Sequence, residues 1–232
     1  MELLGRLFDS CGINCVLDVG AHHGEFALQL RELGYRGRIV SFEPIRATYT
    51  ILEEKARSDK QWQVVCLALG AQDGEKEMKR YKGTVFNSFL SSNSFAANRF
   101  GASTDLEGIE VVKVRRLDRI ISECTDGIDE PRVFLKLDTQ GWDLEVLEGA
   151  GDVLGGIDGI QTELAVKHCY DGMPSYLHAL ARLESLAFEL AGVFSVAASK
   201  DGLSLIEVDC VLVASSARKA IAGSSAPARE HV

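Results

Sequence analysis

Val16-Leu17-Asp18-Val19-Gly20-Ala21-His22-His23-Gly24 is the stretch that decides the fold. An apolar run breaks on an acid and two glycines, and the residues from Glu25 onward take helical spacing. Glycine permits backbone conformations and a close approach that a side chain would block. The helix start offers unpaired N–H groups to a polar ligand. About twenty residues on, Ile39-Val40-Ser41-Phe42-Glu43-Pro44 repeats the pattern as a β-rich run ending in a carboxylate, placed to accept two hydrogen bonds from a ribose diol. The full G-x-G-x-x-G of a dinucleotide site is missing, because His22 stands where its middle glycine would be. A pyrophosphate needs that close backbone approach. His22 therefore argues for a ligand with ribose and adenine but no phosphates, which S-adenosylmethionine satisfies.

The chain has 232 residues, 46% of them hydrophobic, enough for one core burying roughly 70% of the extended surface. A net charge of −9 and a pI near 5.1 disfavour a nucleic-acid partner, since no basic stripe offsets phosphate repulsion. No apolar run approaches the ~20 residues of a membrane span, and Met1-Glu2 followed by Arg6 does not resemble a signal peptide. The expected location is cytoplasmic. Cys11, Cys15, Cys66, Cys124, Cys169 and Cys210 form no C-x-x-C pair, which argues against zinc or a disulfide framework.

Strand-like segments at 15–19, 38–43, 63–68, 133–138, 158–164, 188–196 and 206–214 alternate with helical patterns at 2–9, 24–33, 46–58, 115–124, 143–154 and 174–186. This is the pattern of a doubly wound α/β domain with a mostly parallel seven-stranded sheet. The last two strands follow each other across Ser199-Lys200-Asp201-Gly202 with no helix between them, so the sheet ends in an antiparallel hairpin. That ending resembles the class I methyltransferase (Rossmann-like) fold rather than an all-parallel dehydrogenase sheet. Residues 81–108 read as a long polar loop carrying Phe86, Phe89, Phe95 and Phe100, a lid over the site. Its flanks at 75–82 and 109–114 are strand-like and could pair as an excursion from the sheet. One domain is expected over residues 1–214, with a flexible tail over 215–232.

A second constellation lies in Val133-Phe134-Leu135-Lys136-Leu137-Asp138-Thr139-Gln140-Gly141, followed by a helical segment and a strand that delivers Glu163. In an open parallel sheet, ligands bind beyond the carboxyl ends of the strands near the topological switch. Asp18, Glu43, Asp138 and Glu163 should share that rim. Asp138 and Glu163, on neighbouring strands, make a like-charge pair that a proton or a hard cation such as Mg²⁺ would relieve. Competing readings give Asp138 to a cofactor amino group and pair Glu163 with Lys136 or Lys167. His168 follows on the same rim, with an imidazole suited to taking a hydroxyl proton near neutral pH, and Asp138 is the other candidate base.

Together these residues resemble the FkbM-like methyltransferase family. The match rests on Asp18-Val19-Gly20-Ala21 with Gly24, Phe42-Glu43-Pro44, Ala68-Leu69-Gly70, Asn87-Ser88, Leu117-Asp118, Leu135 to Gly141, Leu144-Glu145-Val146-Leu147 with Gly149-Ala150, and Glu163. The departures are His22, where asparagine is common, and Asp143, where glutamate is frequent. The resemblance implies S-adenosylmethionine-dependent O-methylation of a hydroxyl, commonly of a sugar in a glycoside, natural product or surface polysaccharide. Asp18, Gly20, Ala21, His22 and Gly24 would shape the methionine pocket, Glu43 with Pro44 would hold the ribose, Ala68 and Leu69 would flank adenine, and Asp138 would touch the cofactor. Asn87 and Ser88 begin the substrate lid, and Trp142, His168 and Tyr170 complete the substrate set. A homodimer is left open. The rivals are a nicotinamide-dependent oxidoreductase and a non-catalytic binding module of methyltransferase fold.

Overall fold

The computed structural model describes residues 2–224. Helix α1 (Glu2–Cys11) precedes β1 (Cys15–Val19), α2 (Glu25–Glu32), β2 (Arg38–Phe42), α3 (Arg46–Ala56) and β3 (Trp62–Val65). An excursion follows, made of β4 (Ala68–Leu69), β5 (Gly74–Tyr81), α4 (Ser94–Phe100) and β6 (Leu106–Arg115). The alternation then resumes with α5 (Leu117–Cys124), β7 (Val133–Leu137), α6 (Asp143–Ala150), β8 (Ile157–Ala165), α7 (Tyr176–Ser185), β9 (Phe188–Ala198), β10 (Leu205–Ala214) and α8 (Ser215–Ser224).

Seven strands form one sheet in the order β3-β2-β1-β7-β8-β10-β9. Every residue of β1 and β7 is buried, as apolar runs between two helical layers must be. The expected hairpin is present, and its returning strand β10 lies between β8 and β9, antiparallel to both. The chain winds outward from β1 through β2 to β3, then returns to lay β7 on the other side of β1. The carboxyl ends of β1 and β7 are thus the switch point at which a cleft opens.

The strand expected over 63–68 divides. Leu67 N–H bonds the Val65 carbonyl at 3.0 Å, a tight turn that ends β3 and sends β4 into a second sheet of order β4-β6-β5. That sheet realises the excursion expected from the flanks at 75–82 and 109–114, with β5 antiparallel to β6. The segment 81–108 is more ordered than its polar composition predicted. Asn93 Oδ1 accepts from Ala96 N–H at 3.0 Å and caps α4, and buried Ala96 packs in one cluster with Tyr81, Cys169, Tyr170 and Ile206. The tail is also corrected: Ser215–Ser224 is helical, because Ala217 is buried and Ile221 packs on the core. Residues 225–232 of the expected flexible tail lie outside the described residues. Among those described, no helix is long and apolar enough to cross a membrane.

Helix α6 approaches the excursion so closely that a Cβ on Gly149 would stand 2.0 Å from the Gly70 carbonyl oxygen. Gly149→Ala should cost about 2–3 kcal/mol through overpacking and lower the thermal midpoint by about 6 °C. Gly155, with nothing within 4 Å of its built Cβ, is the control, and Gly155→Ala should stay within about 0.5 kcal/mol of the parent. Denaturant unfolding of both variants measures the difference.

Candidate functional site

A cavity of about 440 Å³ opens at the switch point. The ends of β1, β2, β7 and β8 give it Gly20, Phe42, Glu43, Asp138 and Glu163, and the turn after β1 gives His22 and Glu25. Pro44, Leu67, Ala68, Leu69 and Met78 make an apolar side. The lid closes over it with Thr84, Phe86, Asn87 and Phe89, while Gln140 and Trp142 come from the loop before α6.

Gly20 has φ +77°, and a Cβ there would lie 2.0 Å from the Asp138 carbonyl oxygen. Only glycine lets the β1 turn and the β7 loop meet. The N–H groups of this turn are used internally, while the start of α2 after it, the expected donor of free N–H groups, carries no side-chain cap. Gly20 and Ala21 N–H both bond the Phe42 carbonyl at 3.0 Å, and Gly24 N–H bonds the Ala21 carbonyl. His22 and His23 N–H bond the carboxylates of Glu43 and Glu25, each at 3.1 Å. His22 takes φ +48°, an uncommon conformation for a residue with a side chain. Glu43 accepts a second N–H from Ile45 at 2.9 Å, and its burial pushes its pKa up to about 8 against the pull of those two amides.

At the other end, Lys136 Nζ lies 2.8 Å from Asp138 Oδ2, and Gln140 Nε2 donates to Asp138 Oδ1 at 3.0 Å and to Glu163 Oε1 at 3.2 Å. Burial disfavours the Asp138 carboxylate, but the Lys136 ammonium and these hydrogen bonds outweigh it and hold the pKa below the ordinary value. Glu163 goes the other way. Burial, then Asp138, Glu207 and Asp209, raise it to about 9, so it keeps its proton at neutral pH. An amide N–H donor spans the two carboxyls, and a proton on Glu163 relieves the repulsion for which Mg²⁺ was expected.

The structure brings together Gly20, His22, Glu43, Pro44, Ala68, Leu69, Asn87, Asp138, Trp142 and Glu163 in the wall. Other expected site residues stand behind it or away from it. Asp18 is fully buried below the turn, where Ser41 Oγ donates to it at 3.0 Å and its Oδ1 has no protein partner. Ala21 is buried, and Gly24 packs its Cα toward Trp62 and Leu52, so that glycine serves packing rather than ligand approach. Ser88 is a pin, donating to the Gln140 carbonyl at 2.8 Å and accepting from Leu90 N–H. Tyr170 is buried behind Gln140, its hydroxyl 2.9 Å from Gln140 Oε1 and 3.0 Å from the Phe86 carbonyl oxygen. His168 is exposed and absent from the wall, and its carbonyl accepts from Asn93 Nδ2 at 2.8 Å, which corrects its assignment as the base. Sequence reasoning missed Gln140, whose φ of +52° points to a functional constraint but is invisible in composition.

The chain belongs to the Methyltransferase FkbM domain family, whose model matches residues 18–190. It is similar to the AMB antimetabolite synthetase AmbE of Pseudomonas aeruginosa, 28% identical over 59% of this chain and 8% of that protein. The chain thus spans a small part of that relative's length. Among solved structures it is similar to Aeropyrum pernix fibrillarin with bound S-adenosyl-L-methionine, at 14% identity and TM-score 0.48, covering 86% of this chain and 66% of that one. It is also similar to the magnesium protoporphyrin IX methyltransferase of Synechocystis with the same molecule bound, at 10% identity and TM-score 0.48, covering 92% and 78%.

Glu163 has a stability signature. Its pKa rises from 4.5 to about 9 on folding, so between these values the folded chain keeps a proton that the unfolded chain has lost, and stability falls as pH rises. Glu163→Gln removes that loss. Its thermal midpoint should match the parent near pH 4 and exceed it near pH 9 by at least about 4 °C. Calorimetric midpoints that differ equally at both pH values would contradict the assignment.

Proposed function

We propose that this domain transfers a methyl group from S-adenosylmethionine to a hydroxyl, with a sugar of a glycoside, natural product or surface polysaccharide as the acceptor. One observation carries the choice of cofactor: the charged character of the wall. Its acids are Glu25, Glu43, Asp138, Glu163 and Glu207, and no lysine or arginine stands among its described lining residues. A pyrophosphate would meet the ionised Asp138 with no lysine or arginine among the described lining residues to offset it. A sulfonium cation is suited to the same wall, above all near Asp138, which stays ionised. A dinucleotide-dependent oxidoreductase fits these residues less well for the same reason.

The residues present fit the cofactor. Glu43 keeps lone pairs for two ribose hydroxyls beside its two amide partners, and Ala68 and Leu69 give adenine an apolar face. The unpartnered Oδ1 of Asp18 is an acceptor left beneath the methionine end. When bound, S-adenosylmethionine supplies a methyl whose carbon–sulfur bond breaks with both electrons going to sulfur. The chain's task is then largely positioning. Of the two bases read from the sequence, only Asp138 faces the cavity. It accepts the acceptor's O–H, aims the oxygen at the methyl and receives the proton as the bond to carbon forms. Its low basicity, set by Lys136 and Gln140, makes orientation its larger contribution. Phe86, Phe100 and Asn87 in the wall give a sugar ring apolar faces and a polar edge.

The ribose assignment has a pH dependence. Two diol hydroxyls need an ionised Glu43, whose pKa in the free protein is about 8. Affinity for S-adenosylmethionine should tighten as pH rises through about 8 and level off above it. Glu43→Gln should weaken binding about a hundredfold and flatten the profile. Isothermal titration with S-adenosylmethionine and with NAD tests the cofactor, and tight NAD binding would overturn it. Transfer of labelled methyl from the cofactor to purified glycosides tests the acceptor class.

A further inference from the structure

The turn between β1 and α2 carries three side chains that the transfer described above does not use: the imidazoles of His22 and His23 and the carboxylate of Glu25. His22 Nδ1 lies 3.4 Å from both Glu25 oxygens, and His23 Nδ1 lies 3.8 Å from Glu25 Oε1. One donor atom from each residue falls within 4.8 Å of the other two. The ring centroids are 3.8 Å apart with the planes tilted by 37°, and each imidazole presents its Nδ1 to the one carboxylate.

We propose that His22, His23 and Glu25 bind one first-row divalent transition ion of the zinc class at the mouth of the cavity. Two nitrogens and one carboxylate oxygen on a single face, with the remaining positions open, suit such an ion and do not suit Mg²⁺, which prefers oxygen donors. His22 is set for the task from outside the cluster. Its Nε2 lies 2.8 Å from Thr84 Oγ1, and an N–H donated there leaves the Nδ1 lone pair free for a metal. Its backbone is held by the bond from its N–H to Glu43. The neighbouring cation, Lys55, is engaged by the His23 carbonyl oxygen at 2.8 Å. Among the described residues no fourth side chain bridges these three as Gln140 bridges Asp138 and Glu163. His22 and Glu25 both line the cavity, so an ion held by them would border it, and an oxygen donor within the cavity would complete its shell. The purpose of the ion, to orient or acidify an acceptor hydroxyl, rests on the proposed methyl transfer, whereas its binding does not.

The test uses the full chain without an affinity tag, stripped with chelator and titrated with Co²⁺ while visible d–d absorption is recorded. One Co²⁺ per chain, with a visible band abolished by Zn²⁺ and untouched by Mg²⁺, is the expected result. His23→Gln and Glu25→Gln should each weaken the ion about a hundredfold, with thermal midpoints showing that the variants remain folded. No visible band, or the same titration curve in the parent and both folded variants, overturns the site. Calorimetric titration of the metal-free chain with S-adenosylmethionine reads the functional proposal separately, so either can fail while the other stands.

Discussion

An ammonium buried among carboxylates governs the chemistry of this molecule. Lys136 is 8% exposed near the carboxyl end of β7, in register with Asp18 on β1 and 2.8 Å from Asp138. Taking that charge out of water is costly, and burial alone would drive the lysine toward its neutral form. Asp138 and Asp18 reverse the balance and raise its pKa instead. The interaction is reciprocal, because the ammonium keeps Asp138 ionised at a site where burial would otherwise protonate it. The sign of the cavity's far end is thus set by a residue that does not line it.

The acids around that ammonium do not share it equally, which is how one rim holds several kinds of carboxyl. Asp138 takes the lysine and an amide. Glu163 receives only the Gln140 amide and faces Asp138, Glu207 and Asp209, so it retains a proton. Glu43, at the opposite end, is far enough from the lysine that burial dominates despite two backbone donors. Protonated carboxyls donate as well as accept, and ionised ones only accept. A ligand crossing this cavity therefore meets an acceptor-only carboxylate near one end and titratable carboxyls at the other positions, an arrangement that composition and net charge do not reveal.

The central strands were legible because they are buried on both faces and read as uninterrupted apolar runs; β1 and β7 match the expected bounds almost residue for residue. The hairpin was legible from the missing helix between 188–196 and 206–214. The break after Val65 was not, since Cys66 and Leu67 continue the apolar run while the backbone turns. Helix α4 was hidden because its stability comes from the Asn93 cap and from contacts with Tyr170 and Ile206, distant in sequence. In the site, strand-end acids were readable, as their position follows from the strand. His168 was misplaced because a loop residue's rim position does not fix its direction, and Gln140 was missed because its importance lies in spanning two acids from different strands.

Gln140 also joins the lid to the acids. Its carbonyl accepts from Ser88 Oγ, its amide oxygen lies against the Tyr170 hydroxyl, and its nitrogen bonds Asp138 and Glu163. Tyr170 reaches the Phe86 carbonyl, and Ser92 bridges to the Tyr170 backbone. The lid is therefore fastened at several points, by Ser88 on the Gln140 carbonyl, Tyr170 on the Phe86 carbonyl and Thr84 against His22, and the Gln140 residue that takes the first of these also bonds Asp138 and Glu163. Phe86, Asn87 and Phe89 of the cavity wall lie on the same fastened segment, so the lid and the acids of the rim belong to one hydrogen-bonded unit.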